Sequence, residues 1–123
     1  MDTTLDIQIT KAIAAHAKWK RRLRDAIDTG TSDIDISTAG RDNACEFGQW
    51  LHGGVPASQK HSPHHTACVN LHAQFHKTAS DVLALALRGK KDEADELLKA
   101  PSSPFNSASA ALTREMTAWK QAA

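Results

Sequence analysis

Residues 62–89 read SPHHTACVNLHAQFHKTASDVLALALRG, and within them Val69, His72, His76, Ala79, Leu83, Ala86 and Leu87 recur mostly at intervals of three and four. That spacing lays one continuous stripe along an α-helix, because about 3.6 residues complete a turn. Ser62 supplies an N-cap hydroxyl, Pro63 suits the first helical turn, and Gly89 supplies a stop. The stretch therefore predicts a long helix from Pro63 to about Arg88 whose inner face carries two histidines among apolar residues.

Working outward, the same periodicity recurs on both sides. Leu5, Ile9, Ala12, Ile13, His16, Leu23 and Ile27 share one stripe of a first helix, from about Thr4 to Asp28, that ends at Gly30. Thr31 to Gly40 reads as a polar loop, and Arg41 to His52 as a short helix closed by Gly53 and Gly54. Gly53 to Pro63 is then a connection. Beyond Gly89, an acidic segment from Lys91 to Ala100 predicts a short helix. Ser103 and Pro104 open a last helix carrying Phe105, Ala108, Leu112, Met116 and Trp119. No β-rich alternating run stands out, so the expected fold is all-α: a four-helix bundle with an additional short helix, in one domain over residues 1–123.

Composition narrows the function classes. Lysine and arginine total 15 against 14 acids, a net charge of +1, and aromatics make up 5% of the chain. The one dense basic run, Lys18, Lys20, Arg21, Arg22 and Arg24, reads as a solvated helix face. Nucleic-acid binding would call for a larger basic excess and aromatic stacking partners. No apolar run approaches the roughly 20 residues that cross a bilayer, and Met1 to Thr10 is unlike a signal peptide, so the expectation is a cytoplasmic protein with no membrane contact. Two cysteines in such a setting point to metal or redox chemistry before a disulfide framework.

His72 and His76 are one turn apart, so both rings project from the same helix face and can converge on one ion; two buried histidines satisfied by neighbours are the competing reading. His16 sits in the apolar stripe of the first helix, where an unpaired imidazole is costly. Cys45 lies in Cys45-Glu46-Phe47-Gly48-Gln49-Trp50, with Phe47 and Trp50 as packing anchors; taken alone it could be an inert small hydrophobe. Gly48, costly inside a helix by about 1 kcal/mol relative to alanine, implies that another backbone or a large side chain passes close by. Three histidines and one cysteine together have the ligand types of a tetrahedral zinc site with no position left open. Cys68, one turn before His72, is read as a packed residue, with a competing ligand or a resolving cysteine as alternatives. His52, His61, His64 and His65 are read as solvated, with adventitious metal binding at His65 as an alternative.

These residues resemble the chemoreceptor zinc-binding domain family. The pattern of that family is matched by His16-Ala17-Lys18-Trp19, by Cys45-Glu46-Phe47-Gly48-Gln49-Trp50 and by His72-Ala73-Gln74-Phe75-His76. Gly40-Arg41-Asp42 and Ser103-Pro104-Phe105 also look like family features, and the resemblance spans about residues 10–120. It implies that His16, Cys45, His72 and His76 ligate Zn2+, with Trp19, Asp42, Phe47, Gly48 and Trp50 packed around them, in a helical bundle that pairs as a homodimer. It further implies a non-enzymatic sensor of zinc or of oxidants such as hypochlorous acid. Cys45 would be the redox switch, signalling to an output domain or partner protein in chemotaxis or cyclic-di-GMP control. Asp42 or Glu46 is expected to offset the site's net positive charge. A purely structural zinc site is the alternative. A metal-dependent enzyme fits less well, because no Glu-x-x-His pair and no evident general base accompany the ligands.

Overall fold

The computed structural model describes residues 3–122. Six α-helices follow in order: α1 (Thr3–Thr29), α2 (Ile36–Gly40), α3 (Glu46–Gly53), α4 (Pro63–Leu87), α5 (Lys91–Lys99) and α6 (Pro104–Ala122), with a single 3-10 turn, Ala57–Gln59, before α4. The protein is an all-α bundle, and no strand occurs among the described residues. No helix among them is long and apolar enough to cross a membrane.

The quoted stretch is the hub. Helix α4 packs against each of the other five α-helices, and Phe75, Ala79, Val82, Leu83 and Ala86 on it are at most 1% exposed. Each large apolar side chain so buried contributes about 1.5–3 kcal/mol. The ends of α4 follow the local chemistry. Ser62 Oγ accepts from the His64 backbone N–H at 3.2 Å, Pro63 occupies the first turn, and Gly89 takes a left-handed φ of +76° that a β-carbon would strain. Helix α6 starts in the same manner, with Ser103 Oγ accepting from Asn106 N–H at 3.1 Å. The Asn106 amide donates back to the Leu98 and Ala100 carbonyls at 2.9 and 2.8 Å, fastening the end of α5 to the start of α6.

Two expectations need correction. Thr31 to Gly40 is not wholly loop: its last five residues form α2, started by Asp35, whose carboxylate accepts from Thr38 N–H at 2.6 Å. Five residues are too few to display a helical period, and Ala39, fully buried, shows that packing onto α4 is what holds them. The short helix expected from Arg41 begins only at Glu46, because Cys45 is itself the N-cap of α3 in extended conformation. The connection before α4 also holds the 3-10 turn.

Candidate metal centre

His16, Cys45, His72 and His76 converge, with one possible ligand atom from each lying within 4.8 Å of those of the others. Three parts of the fold deliver them: α1 brings His16, α4 brings both His72 and His76, and the cap of α3 brings Cys45. The three imidazoles are buried, at 6%, 0% and 1% exposure. Cys45 is half-buried.

Backbone carbonyls fix two of the rings. His16 Nδ1 donates to the Ala12 carbonyl one turn back at 2.7 Å, and His76 Nδ1 donates to the Ala39 carbonyl of α2 at 3.0 Å. Each bond places the proton on Nδ1 and leaves the Nε2 lone pair free to ligate. His16 Nε2 has no hydrogen-bond partner although it is buried, and neither does His72 Nδ1. His72 faces the cluster through Nε2, so its Nδ1 carries the ring proton, whereas His16 Nε2 is a buried lone pair without a donor, at a cost on the order of 1–3 kcal/mol that a cation would relieve.

The geometry fits a tetrahedral ion. Cys45 Sγ lies 3.3 Å from His72 Nε2 and 3.6 Å from His76 Nε2, and the two Nε2 atoms are 3.1 Å apart. Zinc bonds of about 2.0–2.1 Å to nitrogen and about 2.3 Å to sulfur give tetrahedron edges of about 3.4 Å between nitrogens and about 3.6 Å between nitrogen and sulfur. The three edges of the Cys45–His72–His76 face match within a few tenths of an ångström, and the His16 ligand atom lies within 4.8 Å of the other three.

Burial also sets the protonation that ligation needs. It holds His16 down to about 4, against help from the Ala12 carbonyl, and pushes His72 and His76 below the ordinary histidine range. All three are therefore neutral near pH 7. Burial pushes the Cys45 thiol up, opposed by the Gly48 and Phe47 backbone N–H groups. In this setting a bound cation is what makes Cys45 a thiolate.

The surrounding residues wall the cluster. Phe47 meets His16 and His72 edge-on, with ring centroids at 5.8 and 5.3 Å, and Trp19 meets His76 edge-on at 5.7 Å. Trp50 stacks on Phe47 and leans on Trp119. Gly48 is glycine for a local reason: a β-carbon there would overlap the Asp42 carbonyl and stand 3.1 Å from His72 Cε1. The close approach expected from its place in the sequence is thus Asp42 backbone on one side and a histidine of the cluster on the other.

The two acids expected to offset charge behave differently. Asp42 acts electrostatically on Cys45 and His76 while its carboxylate takes a 3.0 Å contact with His52 Nε2. Glu46 turns outward to a loose 3.9 Å pair with Lys11, its side chain 76% exposed.

Cys68 lies outside the group. It is fully buried, and burial, aided by the charge of Glu115, pushes its thiol up to about 12, the property of a packed neutral side chain. Three of the histidines expected to be solvated are engaged instead, His52 through its Asp42 contact. His64 Nδ1 is 2.7 Å from a Glu115 carboxylate oxygen, and His65 lies between the Lys60 and Leu51 carbonyls at 3.1 and 2.9 Å. The sequence could not indicate the carbonyls of Ala12 and Ala39, since every residue has one, although Ala12 stands one helical turn before His16.

An all-α bundle that gathers three buried imidazoles and a capping cysteine around one point belongs to the class of helical metal-binding domains. Comparison with family models is more specific: the chemoreceptor zinc-binding domain model matches residues 16–83, which is more than half of the chain and includes all four clustered residues. The chain belongs to that family. Comparison with curated proteins and with solved structures gives no match.

Proposed function

We propose that His16, Cys45, His72 and His76 bind one Zn2+ and that Cys45 makes the site a sensor of oxidant or of zinc, acting on an output domain or partner protein. The observation that carries this reading is the double duty of Cys45. Its sulfur faces His72 and His76, and it also accepts the Gly48 N–H at 3.3 Å as the cap of α3. The other three ligands belong to long helices anchored by the core, so the bond from Cys45 is the one tying a short helix to the metal.

Bound zinc supplies a positive charge that keeps the sulfur ionised and nucleophilic. The sulfur then attacks a peroxide or hypochlorous acid, takes up one oxygen atom as sulfenic acid in a two-electron oxidation, and releases hydroxide or chloride. A sulfenic acid is a poorer ligand and a poorer cap, so α3 loses both attachments in one event. By family resemblance, the output lies in chemotaxis or cyclic-di-GMP control, the role is non-catalytic and cytoplasmic, and the domain, residues 1–123, pairs as a homodimer.

A structural clamp is the second reading, favoured by the saturation of the site: four donors leave no place for a substrate. The deciding experiment measures zinc per chain, then follows metal release and helicity as hypochlorous acid or peroxide is titrated in, with Cys45→Ser as control. Zinc near one per chain with a Cys45-dependent loss of helicity supports the sensor. Zinc retained without change leaves the clamp, and no zinc removes both.

A further inference from the structure

Cys45 borders two openings with different electrical character. One, of about 70 Å3 between α1 and α3, has the Lys11–Glu46 pair at its rim, where the charges cancel. The other, of about 150 Å3, is lined by Trp19, Arg22, Thr38, Arg41, Cys45 and His76. The lining of the second cleft includes two guanidiniums and no carboxylate.

Neither guanidinium is firmly neutralised. Arg22 lies 4.5 Å above the Trp19 ring, which orients it along the cleft wall. Its acidic contact is Asp33 at 3.7 Å, an exposed partner whose side chain is 89% accessible, and a pair of that kind contributes little in water. Arg41 forms no ion pair within 4.0 Å among the described residues. The other nearby acids stop short of pairing with either guanidinium: Asp35 caps α2 through Thr38 N–H and reaches Arg41 only through its charge, and Asp42, in contact with His52, acts on Cys45 and His76 at the inner end.

We propose that this cleft is a binding site for a small monoanion, held between Arg22 and Arg41 and seated against the Cys45 sulfur. The inner end adds little net charge of its own, because the nearby Asp42 carboxylate offsets the single positive charge left by a dication with one thiolate and three neutral imidazoles, so the two guanidiniums supply the attraction; only this part rests on the metal reading above. Planar guanidiniums hold small oxyanions and carboxylates through several N–H groups at once. The cleft therefore selects which reagents reach the sulfur: anionic ones are drawn in by this side, while the Lys11–Glu46 side has no such preference. Where Cys45 is an oxidant sensor, the favoured class is a small anionic oxidant.

The test compares two alkylating probes of similar size, iodoacetate, an anion, and iodoacetamide, which is neutral. Their rates at Cys45 are read by mass spectrometry of the zinc-loaded protein, and zinc content of the same samples reports separately on the metal reading. The iodoacetate-to-iodoacetamide ratio cancels the intrinsic reactivity of the sulfur. The expected result is a ratio that falls about 3-fold in Arg22→Gln and in Arg41→Gln, the Coulomb factor of a unit charge about 6 Å away in water, and about 10-fold in the double variant. Arg41→Lys keeps the ratio, Lys11→Gln leaves it unchanged, and high salt lowers it in the unmodified protein. A ratio insensitive to both arginines and to salt overturns the proposal. So does an equal fall in Lys11→Gln, which would put the anion's route on the other side.

Discussion

His76 Nδ1 donates to the Ala39 carbonyl at 3.0 Å, so the five-residue helix α2 is coupled to the ring whose Nε2 faces Cys45 and His72. The partner that orients a metal-binding histidine raises its basicity and fixes its tautomer, and losing such a partner typically costs 10- to 100-fold in metal affinity. The carbonyl itself cannot be mutated, but its position can be loosened. Asp35→Ala removes the side-chain cap of α2 and leaves every clustered residue in place. The expected outcome is weaker zinc binding by up to about 10-fold with little change in overall helicity, read by competition with a chromophoric chelator. Unchanged affinity would mean that α2 holds Ala39 without its cap.

Gly48→Ala tests the crowding between α3 and the cluster. The added methyl group meets the Asp42 carbonyl, which is backbone and cannot swing aside, as well as His72 Cε1. Overpacking of this kind costs about 1–3 kcal/mol. For a chain of this size that corresponds to a melting temperature lower by roughly 5–15 °C, together with weakened zinc binding because His72 is pushed. A melting curve within 2 °C or so of the unmodified protein would show that the Asp42 segment yields easily.

Cys68 and Cys45 should separate cleanly under a thiol reagent. Cys68 is fully buried and its thiol is pushed up to about 12, whereas Cys45 is half-exposed beside two openings. After zinc is chelated, the native protein is expected to react at one thiol per chain, and the second to appear only on unfolding. Cys68→Ala retains zinc and loses about 1–2 kcal/mol of packing. Fast labelling of both thiols in the native state would reinstate Cys68 as a resolving cysteine.

The long helices and the cluster were legible for the same reason, namely that strong local signals agreed. The apolar stripes of α1, α4 and α6 and the Ser62–Pro63 and Ser103–Pro104 starts recur in the structure where expected. His16, His72 and His76 declared themselves by standing in apolar stripes, where an imidazole needs a partner. Helix α2 was not legible, because its stability comes from Ala39 packing on α4 and not from its own pattern. The start of α3 was misplaced because a cysteine is rarely read as a cap, and here the sulfur takes that role from Gly48 N–H. Which acid lies near the sulfur depended on side-chain direction, which favours Asp42 over Glu46 and which the sequence does not carry.

Metal removal offers the widest test, because the cluster brings together parts of the chain that are distant in sequence. Cys45 and His72 are 27 residues apart, and the apolar core alone does not require Cys45 to face the histidines. Without a cation, His16 Nε2 remains buried and unpaired, while the lowered affinity of all three imidazoles for protons prevents a solvent proton from replacing the metal near pH 7. A ligand held at about 1,000 times its dissociation constant contributes about 4 kcal/mol to the native state. At about 4 °C per kcal/mol, chelation is expected to lower the melting temperature by roughly 15 °C. Far-ultraviolet helicity should fall modestly, since α4 and α6 keep their apolar contacts and α3 alone loses its tie. Cys45→Ser should reproduce part of that fall and make the remainder less sensitive to chelator, and added Zn2+ should reverse the effect in the unmodified chain. A melting temperature unmoved by chelator would mean that the bundle closes around the four side chains without a metal, and would remove zinc from the account of this site.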